Sequence, residues 1–249
     1  MTMVTANDRL IARLRADLAD AGLLAVESTP LWPDEFNNPD AESACKFIFQ
    51  HVKTAEETTG EALAVPEKPY LIDIAREWHK CRAQGTSLHI VKSRRMIVSW
   101  FIGALELHLA GCRKHGVVIA AKHFEGQAGG RHFVWRAKYM YDELRKTNLA
   151  WSLPEVKATG STVARELDAV MLANGSSFVA ANSDPAQFRG SGASIVRLEE
   201  LSAMPYVNAL LGQAKTVTIG KPEDVGGFVC SVSNAAYNDE WLDLIERSS

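Results

Sequence analysis

The chain has 249 residues, of which 47% are hydrophobic and 23% charged, so it can bury a sizeable core without cross-links. Its formal net charge of −3 excludes a uniformly basic nucleic-acid coat, and any contact with DNA has to be local. The four cysteines lie far apart without metal-ligand spacing, and no run approaches the roughly 18 apolar residues of a membrane span. We therefore predict a soluble protein of a reducing cytoplasm, without a membrane partner.

The N-terminal part of the chain predicts a small helical appendage. Asp8 can cap a helix with one apolar face, and the segment "STPLWPDEFNNPD" then interrupts the pattern with three prolines. We assign residues 1–40 to this appendage and residues 41–249 to one main domain. A helix that ends near Gly85 leads into its central part.

Helices alternate with β-prone runs in the main domain. The runs cover residues 88–91, 117–121, 168–173, 177–181, 194–198, 216–219 and 228–232, and the helical patterns cover residues 99–114, 130–146, 204–215 and 239–247. This alternation predicts an α/β fold with a mainly parallel sheet and helices on both faces. Asn174 and Gly175 predict a two-residue hairpin turn between two of the runs, because both residues tolerate positive φ.

A basic turn joins the first β-prone run to a long apolar helix. A phosphate-binding P-loop has this layout, but its pattern GxxxxGK[ST] carries glycines and a lysine before the hydroxyl residue. Here positions 92–99 read "KSRRMIVS", so only Ser99 fits. Phosphate binding needs a nearby cation rather than a cation at one position, and Lys92 could supply it. Taken alone, a solvated basic turn after a buried strand explains the segment at least as well.

A second motif stands at residues 194–200, where the run "SIVRL" ends in two adjacent carboxylates, Glu199 and Glu200. A Walker B strand has this form, in which one acid holds Mg²⁺ and the next orients the attacking water. Glu199 is one methylene longer than the usual aspartate. A strand that runs into an acidic helix start is the alternative interpretation.

Together these segments resemble the ATPase domain of the large terminase subunit of tailed bacteriophages, the motor that drives DNA into procapsids. Some members place the P-loop lysine first, followed by serine and arginines, and "KSRRMIVS" is similar to that variant. The segment "SDPAQFRGSGASIVRLEE" resembles the family's arginine-glycine stretch before the Walker B strand. "TVTIGKPEDVGGF" stands where the coupling motif, a strand that ends in small hydroxyl residues before a proline, is expected. The resemblance covers residues 47–232.

The resemblance implies a P-loop NTPase fold of the additional-strand, catalytic-glutamate (ASCE) class with ATP and Mg²⁺ as cofactors. It implies that Lys92 binds the β- and γ-phosphates and that Ser99 and Glu199 ligate Mg²⁺. The rest of the phosphate-binding turn would be Ser93, Arg94, Arg95, Met96, Ile97 and Val98, with Arg95 and Arg94 sensing the γ-phosphate.

The catalytic roles follow from the same resemblance. Glu200 would position the attacking water, and Arg189 would be an arginine finger donated to the neighbouring subunit. Tyr70 lies in the segment that contacts adenine in this family, although a tyrosine at the start of an apolar helix is more often part of the core.

The implied function is an ATP-driven motor that translocates double-stranded viral DNA into a procapsid. Its partners would be the portal protein, the small terminase subunit and further copies of the chain in a ring on the procapsid. The isolated protein would be a monomer, and its location would be the host cytoplasm. We expect the nuclease domain of the family to be absent from this chain. One alternative is a helicase-like ATPase, by analogy of fold. The other is a non-hydrolysing scaffold for DNA or the portal. The missing glycines favour the scaffold, because each Cβ at Met96, Ile97 or Val98 crowds the phosphates.

The stretch "GGRHFVWRAKYMYDELRK" alternates cations with aromatic residues. Such a stretch could contact DNA. An amphipathic helix with its aromatic residues in the core and its cations, among them Arg136, in solvent explains it as well.

Overall fold

A computed structural model describes residues 31–56, 58–93, 96–112, 116–121, 130–147, 153–160, 166–181, 183–185, 193–218, 228–234 and 243. Five helices and nine strands lie within these residues. The helices are α1 (Ala41–His51), α2 (Pro69–Gln84), α3 (Val98–Cys112), α4 (Gly130–Leu144) and α5 (Val207–Thr218). The strands are β1 (Lys53–Ala55), β2 (Ala62–Ala64), β3 (Leu88–Lys92), β4 (Gly116–Ala121), β5 (Lys157–Thr159), β6 (Ala169–Met171), β7 (Ser177–Ala181), β8 (Ile195–Glu199) and β9 (Phe228–Asn234).

The large sheet has seven strands in the order β3-β9-β8-β4-β7-β6-β5. The strands from β3 to β7 pair in parallel, while β6 and β5 pair antiparallel at one edge. β9 lies between β3, which precedes the basic turn, and β8, which ends in the paired acids. This order confirms the predicted mainly parallel α/β sheet. β9 is the additional strand of the predicted ASCE class. β1 and β2 form a separate antiparallel hairpin.

Apolar residues cover both faces of the sheet. Neighbouring residues alternate between two clusters, as Ile195 and Val196 do in β8, because successive strand residues point to opposite faces. The larger cluster joins one face to α1, α2, α3 and α4, and the smaller joins the other face to α5. Helices therefore cover both faces, as the alternating pattern predicts.

The central helix α3 is buried at every residue except Ser99. A helix that is apolar around its whole circumference has to lie inside the protein, and α3 is enclosed by α1, α2 and α4. Ser99 lies in its first turn, where α3 meets the C-terminal edge of the sheet. Two polar residues, Glu106 and His108, are nevertheless fully buried in this helix.

Residues 31–40 pack against this same core. The Trp32 indole N–H donates to the backbone oxygen of His108 at 2.6 Å, and the backbone N–H of Leu31 donates to Gly111 at 2.8 Å. A Cβ at Gly111 would lie 1.9 Å from the Trp32 ring, so the contact requires glycine there. The domain boundary at residue 40 stays a prediction, but the described end of the assigned appendage is part of the folded core.

One local prediction needs correction, and another cannot be compared with the described residues. The β-prone run at 216–219 is wrong, because Thr216 and Thr218 lie in α5, where their hydroxyls donate to the carbonyls of Gly212 and Ala214 at 2.9 and 3.2 Å. Burial of Thr218 against the sheet overrides the β-propensity of threonine. The predicted helix at 239–247 lies outside the described residues, apart from residue 243.

The hairpin between β6 and β7 exists, but its turn is longer than the predicted two residues. The backbone N–H of Leu172 donates to Ser176 at 2.8 Å, which leaves three residues in the loop. Gly175 has a φ of 80°, whereas Asn174 is not among the described residues with positive φ. Asn174 is buried and its side-chain amide donates to Ala110 of α3 at 2.7 Å. It therefore ties the hairpin to the core.

Candidate functional site

A cavity of about 760 Å³ opens at the C-terminal edge of the parallel strands. Its described walls come from the β1–β2 hairpin, the ends of β3, β8 and β9, the first turn of α3 and the first half of α4. This is the edge at which α/β sheets bind ligands. The volume lies within the range of roughly 300–1,000 Å³ that small-molecule sites occupy.

The structure brings six of the predicted site residues together at this cavity. They are Lys92, Met96, Ile97, Ser99, Glu199 and Glu200. Ser93 is exposed and Val98 is buried in the core, and neither lines the cavity. Tyr70 packs partly buried against the core and does not line it either. Arg94, Arg95 and Arg189 lie outside the described residues.

Ser99 and Glu199 meet directly across the cavity floor. The Ser99 hydroxyl donates to Glu199 Oε2 at 3.0 Å, although 100 positions separate the two residues. Ser99 stands at the start of α3, where the helix dipole favours negative charge. A hydroxyl and a carboxylate oxygen are the hard ligands that Mg²⁺ takes from proteins, and Mg²⁺ usually uses only one or two such groups. The residues present therefore fit the predicted cation.

Lys92 contacts a residue that the sequence did not indicate. It pairs with Asn234 in the register of β3 and β9, and its ammonium donates to Asn234 Oδ1 at 3.3 Å. The predicted strand ends at residue 232, so Asn234 was placed beyond it. The missed signal is the small polar run "SVSN" at the end of this strand.

The segment assigned to the coupling motif does not begin as a strand, because residues 216–218 belong to α5. Its last residue, Phe228, is the first residue of β9, so the expected strand end does not lie within its described part. β9 ends instead in Ser231, Ser233 and Asn234, and the last two line the cavity. Ser233 also accepts from the backbone N–H of Ser202 at 3.0 Å, which joins β9 to the turn after the paired acids.

Glu200 adopts a left-handed backbone conformation, with φ of 59° and ψ of 38°. A residue with a Cβ pays about 1–2 kcal/mol there. Its backbone N–H donates to the oxygen of Val232 at 2.8 Å, which holds the peptide against β9. Strain of this kind concentrates at functional sites. The chain turns sharply at Glu200, and this residue lines the cavity beside Glu199.

Arg197, two residues before Glu199, is buried with only 1% of its side chain exposed. Its Nε donates to Glu199 Oε1 at 2.7 Å, its Nη1 lies 3.1 Å from Glu106 Oε2, and its Nη2 donates to the backbone oxygen of Ser99. Burial alone would disfavour the cation, but the carboxylates of Glu199 and Glu106 outweigh it and raise the pKa of Arg197. Arg197 therefore stays charged.

Glu106 is the least favourably placed member of this group. Burial raises the pKa of Glu106 to about 7, although Arg197 acts in the opposite direction. Its second oxygen, Oε1, has no hydrogen-bond partner among the described residues. The sequence signal for the group was a charge inside each of two apolar segments, "SIVRL" and "FIGALELHLAG".

Arg136 places a further cation on the cavity wall. Its guanidinium lies 4.8 Å from the ring centroid of Trp100 and 4.9 Å from that of Phe133, and all three residues line the cavity. Contacts of this kind between a guanidinium and aromatic faces fix the orientation of the cation. We predicted Arg136 as a solvated or DNA-contacting cation of α4. The structure places it in the wall of the candidate site.

The protein has the sheet order of the ASCE type of P-loop NTPase fold, with β9 between β3 and β8. Its structure is similar to the crystal structure of the HK97 bacteriophage large terminase, with a TM-score of 0.56 and 16% sequence identity over 84% of this chain and 41% of that one. At this identity the similarity concerns the fold, and for the fold it confirms the predicted resemblance. The chain spans about two fifths of the length of the HK97 protein.

A second similar structure is a mutant of the large terminase ATPase domain of Thermus phage P74-26. The TM-score is 0.46 and the identity 14%, over 71% of this chain and 68% of that one. No protein-family model matches the sequence, and a search of the curated proteins finds no match. Within the described ranges, no helix has the length and apolar character needed to cross a membrane.

Proposed function

We propose that the chain is the ATP-hydrolysing motor domain of a DNA-packaging terminase. One observation carries the proposal: Lys92, Ser99, Glu199 and Glu200 line one cavity although they come from two segments about a hundred positions apart. A solvated basic turn and an acidic helix start would have no reason to converge. Their meeting at the C-terminal edge of a parallel sheet supports nucleotide binding.

The binding roles follow from charge and position. Lys92 offers a cation that can move from Asn234 to the phosphates, because their contact at 3.3 Å is long for a hydrogen bond. Ser99 and Glu199 would hold Mg²⁺, which when bound neutralises charge on the phosphates. Arg136 adds a further positive charge to the cavity wall. Each of these groups is fixed by a strand end or a helix turn, so little has to reorganise when nucleotide enters.

The catalytic role belongs to Glu200. Its carboxylate would accept a hydrogen bond from the attacking water and align it with the γ-phosphate, while ATP and water become ADP and phosphate. Ser99 and Arg197 engage the two oxygens of Glu199, so we assign the two acids different tasks. Arg189, by resemblance, would reach the phosphates of a neighbouring subunit and compensate charge in the transition state.

The wider function is proposed by analogy with the fold. ATP turnover would drive double-stranded DNA into a procapsid in the host cytoplasm, with the portal protein, the small terminase subunit and further copies of the chain in a ring. The likeness of the fold to the HK97 large terminase supports this assignment.

A non-hydrolysing scaffold for DNA or the portal is the second candidate. Ile97 lines the cavity at the position where a standard P-loop has its second glycine, and Met96, just before it, also lines the cavity. If these side chains keep the phosphates from the backbone of the turn, nucleotide would bind weakly or not at all.

Nucleotide binding and phosphate release separate the two candidates. Binding of a fluorescent ATP analogue and release of phosphate are measured for the wild type, Lys92→Ala and Glu200→Gln, at high concentration and with DNA. Lys80→Ala, an exposed lysine of α2 paired with Glu77, is the matched control. We expect Lys92→Ala to lose binding and Glu200→Gln to bind without turnover, each by a factor of about 10² or more. A wild type that neither binds nor hydrolyses ATP would favour the scaffold.

A further inference from the structure

We infer that Arg197 is a positioning residue that lets glutamate serve where a Walker B strand usually carries aspartate. Its guanidinium fixes one oxygen of Glu199 and leaves the other facing Ser99. The inference rests on the proposed function, because it concerns how Glu199 Oε2 and the Ser99 hydroxyl oxygen are presented to Mg²⁺.

The geometry begins with the pleat of β8. Arg197 and Glu199 are two residues apart, so their side chains leave the same face of the sheet, toward α3. Arg197 Nε donates to Glu199 Oε1 at 2.7 Å and Nη2 donates to the same oxygen. Glu199 Oε2 is then left for the Ser99 hydroxyl at 3.0 Å. Both carboxylate oxygens therefore have separate partners.

This division of oxygens offsets the extra methylene of Glu199. A free glutamate has one more rotatable bond than aspartate and would sample several positions at the cavity floor. The ion pair draws the side chain back along its own strand, and the guanidinium also donates to the backbone oxygen of Ser99. Arg197 thus touches both ends of the Ser99–Glu199 pair and sets the distance between them.

The surroundings of Arg197 are built to hold it. Glu106 Oε2, 3.1 Å from Nη1, supplies a second countercharge from α3. Gly103 leaves room for the guanidinium, since a Cβ there would lie 3.2 Å from Nη1. The ring of Phe133 lies 5.1 Å from the guanidinium carbon. Three elements, α3, α4 and β8, therefore contact one buried side chain.

Stability alone explains this arrangement poorly. Buried ion groups are often no more stabilising than well-packed apolar residues of similar volume, because desolvation offsets the attraction. The network also leaves Glu106 Oε1 without a partner among the described residues. Outer-shell partners of metal ligands, by contrast, typically change metal affinity by about 10- to 100-fold when removed. A positioning role accounts for a buried cation beside the proposed ligand.

The test separates positioning from packing. Glu106→Leu with Arg197→Met removes the guanidinium and its second countercharge, so that Glu199 keeps the Ser99 contact but loses the ion pair. Arg197→Lys keeps the charge but not the fork of donors. Binding of a fluorescent ATP analogue is titrated with Mg²⁺ and in its absence, and thermal unfolding is measured without nucleotide. We expect both variants to bind nucleotide like the wild type without Mg²⁺ and to need at least about tenfold more Mg²⁺.

A second set of variants replaces Glu199 by the shorter aspartate. Glu199→Asp in the wild-type background should raise the Mg²⁺ requirement, because aspartate cannot reach Ser99 while paired with Arg197. In the Glu106→Leu, Arg197→Met background, the same change should return the Mg²⁺ requirement to that of the wild type, since a free aspartate is the usual Walker B arrangement. Arg197→Lys serves if the double variant does not fold.

The outcomes are distinct. A folded double variant with the Mg²⁺ requirement of the wild type would overturn the positioning role while leaving the proposed function intact. Absence of rescue by Glu199→Asp in that background would do the same. A wild type that binds no nucleotide at any Mg²⁺ concentration would overturn the proposed function, and this inference with it.

Discussion

Ser99 and Glu199 lie in hydrogen-bond contact at 3.0 Å across the floor of the cavity. Ser99 begins the helix that follows the basic turn, and Glu199 ends the strand that carries the paired acids. The contact brings the two motifs of the sequence together at the edge of the sheet where β9 separates their strands. It gives the P-loop interpretation a geometric basis that neither segment provides alone.

The left-handed conformation of Glu200 leads to opposite effects on stability and activity. Asparagine tolerates this conformation better than residues with longer or branched side chains. We expect Glu200→Asn to keep or raise the free energy of unfolding, by up to about 1 kcal/mol, and to reduce ATP turnover about 10²-fold. Glu200→Ala is the matched control, since alanine bears the same strain. Denaturant unfolding and phosphate release measure the two effects, and an asparagine variant less stable than the alanine variant would refute the strain argument.

An arginine finger acting between subunits predicts complementation. Arg189→Ala lacks the finger but keeps Glu200, and Glu200→Gln keeps the finger but lacks the acid. Mixing the two variants should restore part of the ATPase activity that each lacks alone, because some interfaces then combine both intact groups. Arg131→Ala mixed with Glu200→Gln is the control. A mixture no more active than its components would mean that Arg189 does not act in trans.

Arg136 is expected to contribute to nucleotide binding within its own subunit. Replacing it by alanine removes a cation from the cavity wall and should weaken binding of an ATP analogue about tenfold, with a smaller effect on ADP. Arg136→Ala should gain nothing from mixing with Glu200→Gln, unlike Arg189→Ala. Lys138→Ala, on the same helix and paired with Asp142, is the control. Equal affinities for ATP in the wild type and Arg136→Ala would assign Arg136 to packing against Trp100 and Phe133.

The buried carboxyl of Glu106 predicts a distinctive pH dependence of stability. Its folded pKa, raised to about 7 by burial, exceeds the ordinary value of 4.5, so the folded state binds the proton more tightly. This contribution is fully present below pH 4.5 and is lost as the pH rises through about 7. The free energy of unfolding of the wild type should therefore fall relative to that of Glu106→Gln across this window, by on the order of 3 kcal/mol.

The comparison with Glu106→Gln also removes the effect of the buried histidines. Burial lowers the pKa of His79 to about 3 and of His89 and His108 to about 4, so these residues contribute stability that is lost as the pH falls from 6.5. Both proteins share this opposite trend. Denaturant unfolding at several pH values gives the difference, and parallel curves would show that Glu106 does not titrate in this range.

The packing of Trp32 on Gly111 predicts that the core extends upstream of residue 41. Gly111→Ala would bring a Cβ to 1.9 Å from the Trp32 ring and should destabilise the protein by about 1–3 kcal/mol. Gly212→Ala, where no atom lies within 4 Å of an added Cβ, is the control and should not destabilise. A chain shortened to begin at residue 41 should be less stable than one that begins at residue 31. Equal stabilities would support the predicted domain boundary at residue 40.

The order of elements and most strands could be predicted because they depend on local pattern. Strands β3, β4, β7, β8 and β9 are short, largely apolar runs, and α3 is mostly apolar, so burial selects their conformation whatever their neighbours. The prediction failed for the run at 216–219, whose described residues 216–218 lie in a helix. There the packing of α5 on the sheet outweighs the preference of threonine, and no local signal reports that packing.

The sequence by itself determined which residue types could serve a nucleotide: a lysine and a serine around a turn, and two acids after a strand. Only the tertiary structure decided that they share one cavity, because that depends on the order of strands in the sheet, which is set by long-range pairing. The same holds for Asn234, Arg136 and Arg197, each of which reads locally as an ordinary polar residue. Each of them also contacts a residue 36 to 142 positions away. The physical reason is that hydrogen bonds and ion pairs act through space, whereas sequence patterns report only nearby residues.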